Sequence, residues 1–504
     1  MIHRQETKEG NVFILTIDIG LTNCKVSLFD FHGKLNRQAT QRYPTITVKT
    51  DWSEQDPGDW WQAIKTSVRD LSNRPGVNVS EIDVIAVTAH MHGMIAVDGE
   101  GRPLTHCWTL FDRRAVSEAQ EIAQKIGERT AYDLTGGRLE AYTPAAKILW
   151  LKNHHPEIFK RTAFFLSPKD VVRVLLGGEL ATDPIDAVGM LLYDIKSQVW
   201  AQEILDAIGL PPEKLAEVRA SSSSGGFLSS EAAKELGLKE GVPLIVGAGD
   251  DIEALGAGVI HPSQTLEHIG TTGTMITCLD HLIFDEDQAV EVYPHGLPNR
   301  YLLGGATNAA GRSLDWAMSL FSFEEAGEEF LPIQHPPRAG TPDPPIYLPF
   351  ISGERGLLWE SHATGGFLGL REGHTPVDLA LGVYQGVAFS MKEFLVAAER
   401  LGARPNSILS GTPSKPRDWS QLRADIYGLP ISFLETPYPT GLGAAMLAYE
   451  YLNVFSSLAE AAERCCHVSE QVHPDPEWRE HFDKKFETYE TTVQTCKALF
   501  SKIM

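Results

Sequence analysis

Two adjacent carboxylates, Asp250 and Asp251, follow a glycine turn at Gly247-Ala248-Gly249, and Gly270-Thr271-Thr272-Gly273 lies a short way downstream. A carboxylate within hydrogen-bond reach of a hydroxyl can take its proton. Backbone N–H groups and hydroxyls gathered in a glycine turn suit phosphate oxygens. Phosphoryl transfer asks for little more than positioned phosphates, a metal and an acceptor for one proton. A similar set stands near the start of the chain: Asp18, Gly20 and Thr22, with Asn23 and Lys25 beside them. Asp18, Gly20, Thr22, Gly270, Thr271 and Thr272 are therefore candidates to hold phosphates and metal. Asp250 is the candidate base, with Asp251 as its alternate. The plain alternative for an Asp that opens a helix is a cap, worth about 1 kcal/mol. Both readings can hold for one of the pair. The pattern G-x-x-x-x-G-K-[ST] is absent, so phosphate binding would have to come from hairpins. The dinucleotide fingerprint fails as well, because its third glycine would fall at Ile252.

The elements that must carry these residues can be read around them. Val242–Val246 is a short apolar strand that delivers the glycine turn, and a small-residue helix is expected from Asp250. Val12 to Asp30 reads as two β-rich runs with a turn at Gly20 to Asn23. Asp18 to Asp30 lies over His268 to Asp280 without a gap, at an offset of 250 residues, which is about half the chain. We read this as an internal duplication; chance likeness between two hairpins is the alternative. Ile82–Val87 is a buried strand running into Thr88-Ala89-His90-Met91-His92-Gly93, and ligands of open α/β sheets gather at such strand ends. His90 and His92 are candidates for binding hydroxyls there. Metal binding by His-x-His lacks a third ligand, and simple packing is the ordinary alternative. Helices are expected at Ala63–Leu71, Ala141–Glu157, Leu166–Leu176, Leu379–Leu401, Trp419–Tyr427 and Gly441–Tyr451, with strands at Ile408–Gly411 and Ile431–Leu434. Pro332–Pro349 is an irregular, proline-rich connection. Trp478, Phe482, Phe486, Tyr489, Val493 and Cys496 form one stripe of a final amphipathic helix. Strands and helices in alternation give the α/β class.

The chain as a whole bounds the answer. Its 504 residues exceed one core and favour two or three domains. A net charge of −22 argues against nucleic acid or an anionic membrane as main partner. No apolar run reaches the ~18 residues that a spanning helix needs, and the polar first residues do not read as a signal peptide. Six scattered cysteines without zinc spacing fit a reduced, cytoplasmic setting.

Beyond these patterns, the chain resembles the FGGY family of carbohydrate kinases nearly end to end. Tyr142-Thr-Pro-Ala-Ala-Lys147-Ile-Leu-Trp150-Leu-Lys-Asn-His154 fits the family's first signature. Gly365-Gly-Phe-Leu-Gly-Leu370, with Asp378-Leu379 and Gly382-Val-Tyr-Gln385, fits the second. Further pieces are Ser53-Glu-Gln-Asp-Pro57, Ser167-Pro-Lys-Asp170, Asp183 with Asp186, and Ser352-Gly-Glu-Arg355. Gly411 to Pro430 resembles the adenosine region. The resemblance implies two duplicated actin-like ATPase (ribonuclease H-like) domains around a central cleft. Residues 1–258 would bind sugar and carry the base. Residues 259–504 would bind the nucleotide, with the last helix free to pack back on the first domain. It implies transfer of the ATP γ-phosphoryl group to a terminal hydroxyl of an open-chain sugar or polyol, with Mg²⁺ held at Asp18. Gly20, Thr22, Asn23, Lys25, Gly270, Thr271 and Thr272 would meet phosphates, and Gly411, Thr412 and Ser414 the adenosine. His90, Met91, His92 and Asp250 would meet the sugar. His90-Met91-His92 leans toward a xylulose-like ketopentose; Gly304 to Asn308 leans toward a gluconate-like acid. A homodimer is what the family suggests.

Several positions depart from the pattern. Leu21 stands for the usual Thr of Asp-x-Gly-Thr, and His90 stands for Gln. Gln385 stands for Glu, and Gly411-Thr412-Pro413-Ser414 replaces a glycine-rich loop. From the base to Gly258 the chain is one residue short. A second reading therefore stays open beside the kinase: a kinase-like sugar sensor without turnover. ADP release across a sugar panel separates the two.

Overall fold

In the computed structural model, residues 13–74, 79–321, 343–360, 362–412 and 416–503 are described. The predicted N-terminal hairpin forms, as β1 (Phe13–Ile19) and β2 (Asn23–Asp30), and β3 (Leu35–Arg42) extends it antiparallel. On its other side β1 pairs in parallel with β4 (Ile82–Ala89). The sheet then continues through β6 (Pro243–Ile245), parallel to β4, to β5 (Ser224–Phe227), antiparallel to β6. A short β7 (Ala248–Gly249) also pairs with β4, so Gly249 lies beside Ala89. β1 and β4 are buried almost throughout, as expected of parallel strands covered on both faces. The helix Pro57–Ser72 starts where the Asp56 side chain accepts from the Gly58 N–H at 2.8 Å. It lays Trp60, Ile64, Val68 and Leu71 into the same apolar cluster as Leu15, Ile17 and Val26.

A second sheet has the same plan. β8 (Gln264–Ile269), β9 (Gly273–Leu279) and β11 (Tyr301–Thr307) run antiparallel in turn, with β10 (Glu291–Pro294) at the edge beyond β11. β8 pairs in parallel with β12 (Ser407–Ser410), which pairs in parallel with β13 (Ile431–Leu434), and β14 (Val468–Val472) closes antiparallel. The turns differ by one residue. Ile19 pairs with Cys24 around Gly20 to Asn23, whereas Ile269 pairs with Gly273 around Gly270 to Thr272. The gapless overlay therefore holds only up to the turn. Past it a one-residue slip reverses which face each side chain takes.

The chain forms two compact units. The first takes residues up to Gly258, then Tyr293–Arg300 and Tyr438–Cys466; the second takes Val259–Val292, Tyr301–Pro437 and the rest from His467. The segment that returns to the first unit carries the helices Pro439–Tyr451 and Leu458–Cys465, while the final helix, Arg479–Ile503, stays with the second. In that returning segment Leu442, Ala444, Ala445 and Met446 are wholly buried. It approaches the chain after Asp250 so closely that a Cβ on Gly256 would lie 1.8 Å from the Pro439 carbonyl, and one on Gly443 2.3 Å from the Ile252 carbonyl. The helix expected over Ala141–Glu157 breaks in two, Pro144–His154 and Pro156–Arg161, because the residue before a proline is pushed out of the helical region. Part of the proline-rich connection, residues 332–342, lies outside the described residues. No helix among them is long and apolar enough to cross a membrane.

Candidate active site

Within the first unit, the ends of β1, β4 and β7 bring the sequence-predicted residues of that half together. The His90 N–H donates to the Ile19 carbonyl at 2.8 Å, which ties the histidine turn to the first hairpin. The Met91 N–H donates to Asp250 Oδ1 at 3.2 Å, which ties the same turn to the candidate base. Gly249 permits this approach: a Cβ there would stand 2.6 Å from Met91 Cγ and 2.9 Å from Asp186 Oδ1.

The cap reading of Asp250 is overturned. Asp250–Ile252 is a single 3₁₀ turn ahead of a short helix, Glu253–Gly256, and the cap position falls on Gly249 with no side-chain bond. Asp250 turns its carboxylate to the Met91 N–H instead. Burial raises its pKa well above 3.8, and the charges of Asp251, Asp18, Asp186 and Glu253 push the same way. Its residue surface is nevertheless half-buried, so the group remains within reach of a ligand.

Asp18 is buried near the end of β1, and its Oδ2 accepts from the Tyr438 hydroxyl at 2.5 Å. Burial raises its pKa, against the lowering effect of Tyr438 and Lys25. Lys25 faces Asp18 across the ladder and stands 4.7 Å over the Tyr438 ring. In the turn between them, the Gly20 N–H donates to the Asn23 carbonyl at 3.0 Å and the Asn23 amide to the exposed Thr22 hydroxyl at 2.9 Å. Leu21, where a Thr was expected, gives its carbonyl to the Gln55 amide at 2.8 Å.

The two histidines differ. His90 is buried, and burial holds its pKa near 4, so the ring is neutral. His92 has φ +60°, and its Nδ1 lies 2.9 Å from the Gly189 carbonyl. A carbonyl only accepts, so Nδ1 carries the proton there, and in the neutral ring Nε2 is the acceptor nitrogen. Tyr142 meets the His92 ring edge-on at 5.2 Å. The fully buried Lys147 donates to the carbonyls of His92 (2.8 Å), Trp108 (3.0 Å) and Thr109 (2.8 Å). It thereby pins the left-handed His92 backbone, a conformation uncommon outside glycine. Burial pulls Lys147 down to about 7, while the three carbonyls favour the ammonium.

Behind the Asp250 turn sits a dry charge cluster. Lys169 reaches Asp170 at 2.5 Å and Asp183 and Asp186 at 3.3 Å, Arg173 binds Asp170 at 2.8 Å, and the Ser167 hydroxyl bonds Asp186 at 2.7 Å. Burial raises Asp186 to about 7, with Lys169 opposing. Burial would raise Asp170 too, but Lys169 and Arg173 hold it below the usual range. The family-like pieces around Ser167 and Asp183 pointed at these residues; nothing in the sequence said that they converge. Tyr438 left no signal at all, since its partner Asp18 is 420 residues away.

The second unit carries the other candidates. Gly270 N–H donates to the Thr272 carbonyl at 2.9 Å, and the first amides of the helix Ala310–Leu320 engage the turn: Gly311 N–H bonds the Gly270 carbonyl at 2.9 Å and Arg312 N–H the Thr271 carbonyl at 3.2 Å. Thr271 is exposed. Gly411 and Thr412 follow β12, and the Thr412 hydroxyl accepts from the Ile269 N–H at 2.7 Å. Ser414 lies outside the described residues. Sequence reasoning missed Glu267, which sits wholly buried one turn below the hairpin. It receives Arg423 at 2.5 Å, the Ser410 hydroxyl at 2.6 Å and the Tyr427 hydroxyl at 2.8 Å. Adjacent Cys465 and Cys466 end a helix, and among the described residues no group of three His, Cys, Asp or Glu side chains is placed to hold a metal ion.

Two mixed sheets of one plan, each opening on a glycine hairpin, define an actin-like ATPase fold. Comparison with known proteins makes the class specific. The N-terminal domain of the FGGY family of carbohydrate kinases matches residues 13–256, and the C-terminal domain of that family matches residues 268–450. The chain belongs to the FGGY family of carbohydrate kinases. A xylulose kinase of Staphylococcus epidermidis is 30% identical over 97% of this chain and 98% of its own length. Among solved structures, a gluconate kinase from Lactobacillus acidophilus superposes with a TM-score of 0.92 at 27% identity, covering 98% of this chain and all of that one (100%). A ligand-bound xylulose kinase from the same organism gives 0.90 at 27% identity, over 98% and 100%.

Proposed function

We propose that this carbohydrate kinase transfers the γ-phosphoryl group of ATP to a terminal hydroxyl of an open-chain sugar, a xylulose-like ketopentose first and a gluconate-like acid next. The observation that carries the reading is the bond from the Met91 N–H to Asp250 Oδ1, which sets the candidate sugar loop against the candidate base. Relatives that act on xylulose and gluconate support the substrate class.

Asp250 takes the proton of the attacking hydroxyl at Oδ2 or Oδ1. Burial and neighbouring carboxylates strengthen it as a base by raising its pKa toward the working pH. Neutral His90 and the acceptor nitrogen of His92, with Met91, orient the sugar hydroxyls. Gly20, Thr22, Asn23 and Lys25 in one unit, and Gly270, Thr271 and Thr272 in the other, bind phosphate oxygens, and Gly411, Thr412 and Ser414 border the adenosine. The charges fit a divalent cation: Asp18 is a buried carboxylate whose pKa burial raises, and its charge helps to raise that of Asp250, so an arriving cation would offset both. Asp18 would hold Mg²⁺, which would neutralise phosphate charge.

The test is Asp250→Asn in a coupled ADP-release assay across a sugar panel. Turnover is expected to fall by about 10²–10⁴-fold, with sugar-dependent melting shifts retained. Near-wild-type turnover in Asp250→Asn, together with its loss in Asp251→Asn, would move the base to Asp251.

A further inference from the structure

β8 and β12 run in parallel with Glu267 beside Ser410, and the regular ladder ends with the Gly411 N–H on the Glu267 carbonyl at 2.9 Å. The next donor along β8, the Ile269 N–H, is met by the Thr412 side chain at 2.7 Å. A hydroxyl thus adds one rung beyond the last strand residue. That rung joins two loops: Ile269 leads directly into Gly270-Thr271-Thr272, and Thr412 belongs to the turn after β12. Below it, the Ser410 hydroxyl donates to the Glu267 carboxylate at 2.6 Å while accepting from the Thr412 N–H at 3.2 Å. The same carboxylate is anchored by Arg423, whose guanidinium lies 5.2 Å from the Trp419 ring. Glu267, Ser410 and Arg423 are essentially dry, and apart from Arg423 Nε, which has no partner among the described residues, the polar groups in this chain of contacts bond one another. A buried polar network of this kind rigidifies what it touches.

We propose that Thr412 is a positioning residue for the nucleotide: its hydroxyl locks the Gly411-Thr412 turn to the Ile269–Thr272 hairpin, so the loop that borders adenosine and the loop that binds phosphate are held as one body. This rests on the nucleotide reading of the second unit. It also explains the departure from a glycine-rich loop, because glycine has no atom that could make the rung. Pre-formed spacing between two loops spares a ligand the ordering cost of bringing them together.

The test compares Thr412→Val, Thr412→Gly and Thr412→Ser in the full chain, by direct titration with ADP and by separate KM values for ATP and sugar. Thr412→Val and Thr412→Gly are expected to bind ADP roughly tenfold more weakly, the upper range for one hydrogen bond, and to raise the ATP KM alike while the sugar KM stays put. Thr412→Ser, which keeps the hydroxyl, should recover most of the affinity. Wild-type ADP affinity in Thr412→Val, or an equal loss of ADP and sugar affinity, would overturn the proposal. Failure of the wild-type chain itself to bind ADP would instead remove the nucleotide reading beneath it.

Discussion

Asp18 and Glu267 are both buried acids on the first strand of a sheet, two and three residues before the turn glycines Gly20 and Gly270 respectively, yet their surroundings are opposite. Glu267 is spent: an arginine, a serine and a tyrosine all bond it. Asp18 accepts a tyrosine hydroxyl on one oxygen and feels the field of Lys25 against that of Glu253, and burial leaves its pKa raised. A buried charge needs a partner, and one lacking a full set is held for something that arrives. The repeated architecture thus separates structural from chemical acids by what the neighbouring helices supply. Arg423, on the helix Arg417–Tyr427, performs that service in the second unit. The helix that follows Tyr438 in the first brings no cation to Asp18.

The largest effect that can break this comparison is Glu267→Ala. Arg423 would be left charged, dry and unpaired, and loss of one partner of a buried pair costs about 3–5 kcal/mol. Chemical denaturation should show that loss; a near-neutral result would put Glu267 in the same category as Asp18. Asp18→Asn should do the reverse. Its melting temperature should hold or rise, because a costly buried charge is gone while Tyr438 keeps an acceptor. Turnover should fall at least about a hundredfold if Asp18 serves the metal. A smaller and sharper effect concerns pH. A base at Asp250 would work only when deprotonated, so kcat/KM should fall as pH drops through a pKa well above 3.8. Asp251 is the largest charge contribution to that rise. Asp251→Asn should therefore lower the pKa and move the acid limb to lower pH. An unmoved limb would mean that the two carboxylates do not feel each other.

Much of this was legible in the sequence because it is local. The β1–β2 hairpin, the buried strand before His90 and the amphipathic tail are set by periodicity and turn residues within a few positions. The duplication was legible from Ile-Gly and the closing Asp, but not the missing residue in the second turn, because a gapless overlay of two short hairpins cannot register a deletion that the strands absorb. A cap was the plain alternative to the base at Asp250, because a helix was expected to begin there; the Met91 N–H, brought alongside by pairing of β7 with β4, engages its carboxylate instead. Tyr438, Glu267 with Arg423, and Lys169 with its three aspartates depend on contacts between distant segments, and no spacing rule reaches them.

The return of Tyr438–Cys466 to the first unit has a consequence for how the protein is made. The hydroxyl that bonds Asp18, and the helix whose Leu442 and Met446 complete that unit's interior, leave the ribosome only after most of the second unit, up to Pro437, has been synthesised. The N-terminal half therefore waits, with an unfinished core, while the chain up to Pro437 is made. Apolar surface left uncovered in this way favours aggregation, so the order of segments along the chain matters for folding as well as for the final contacts.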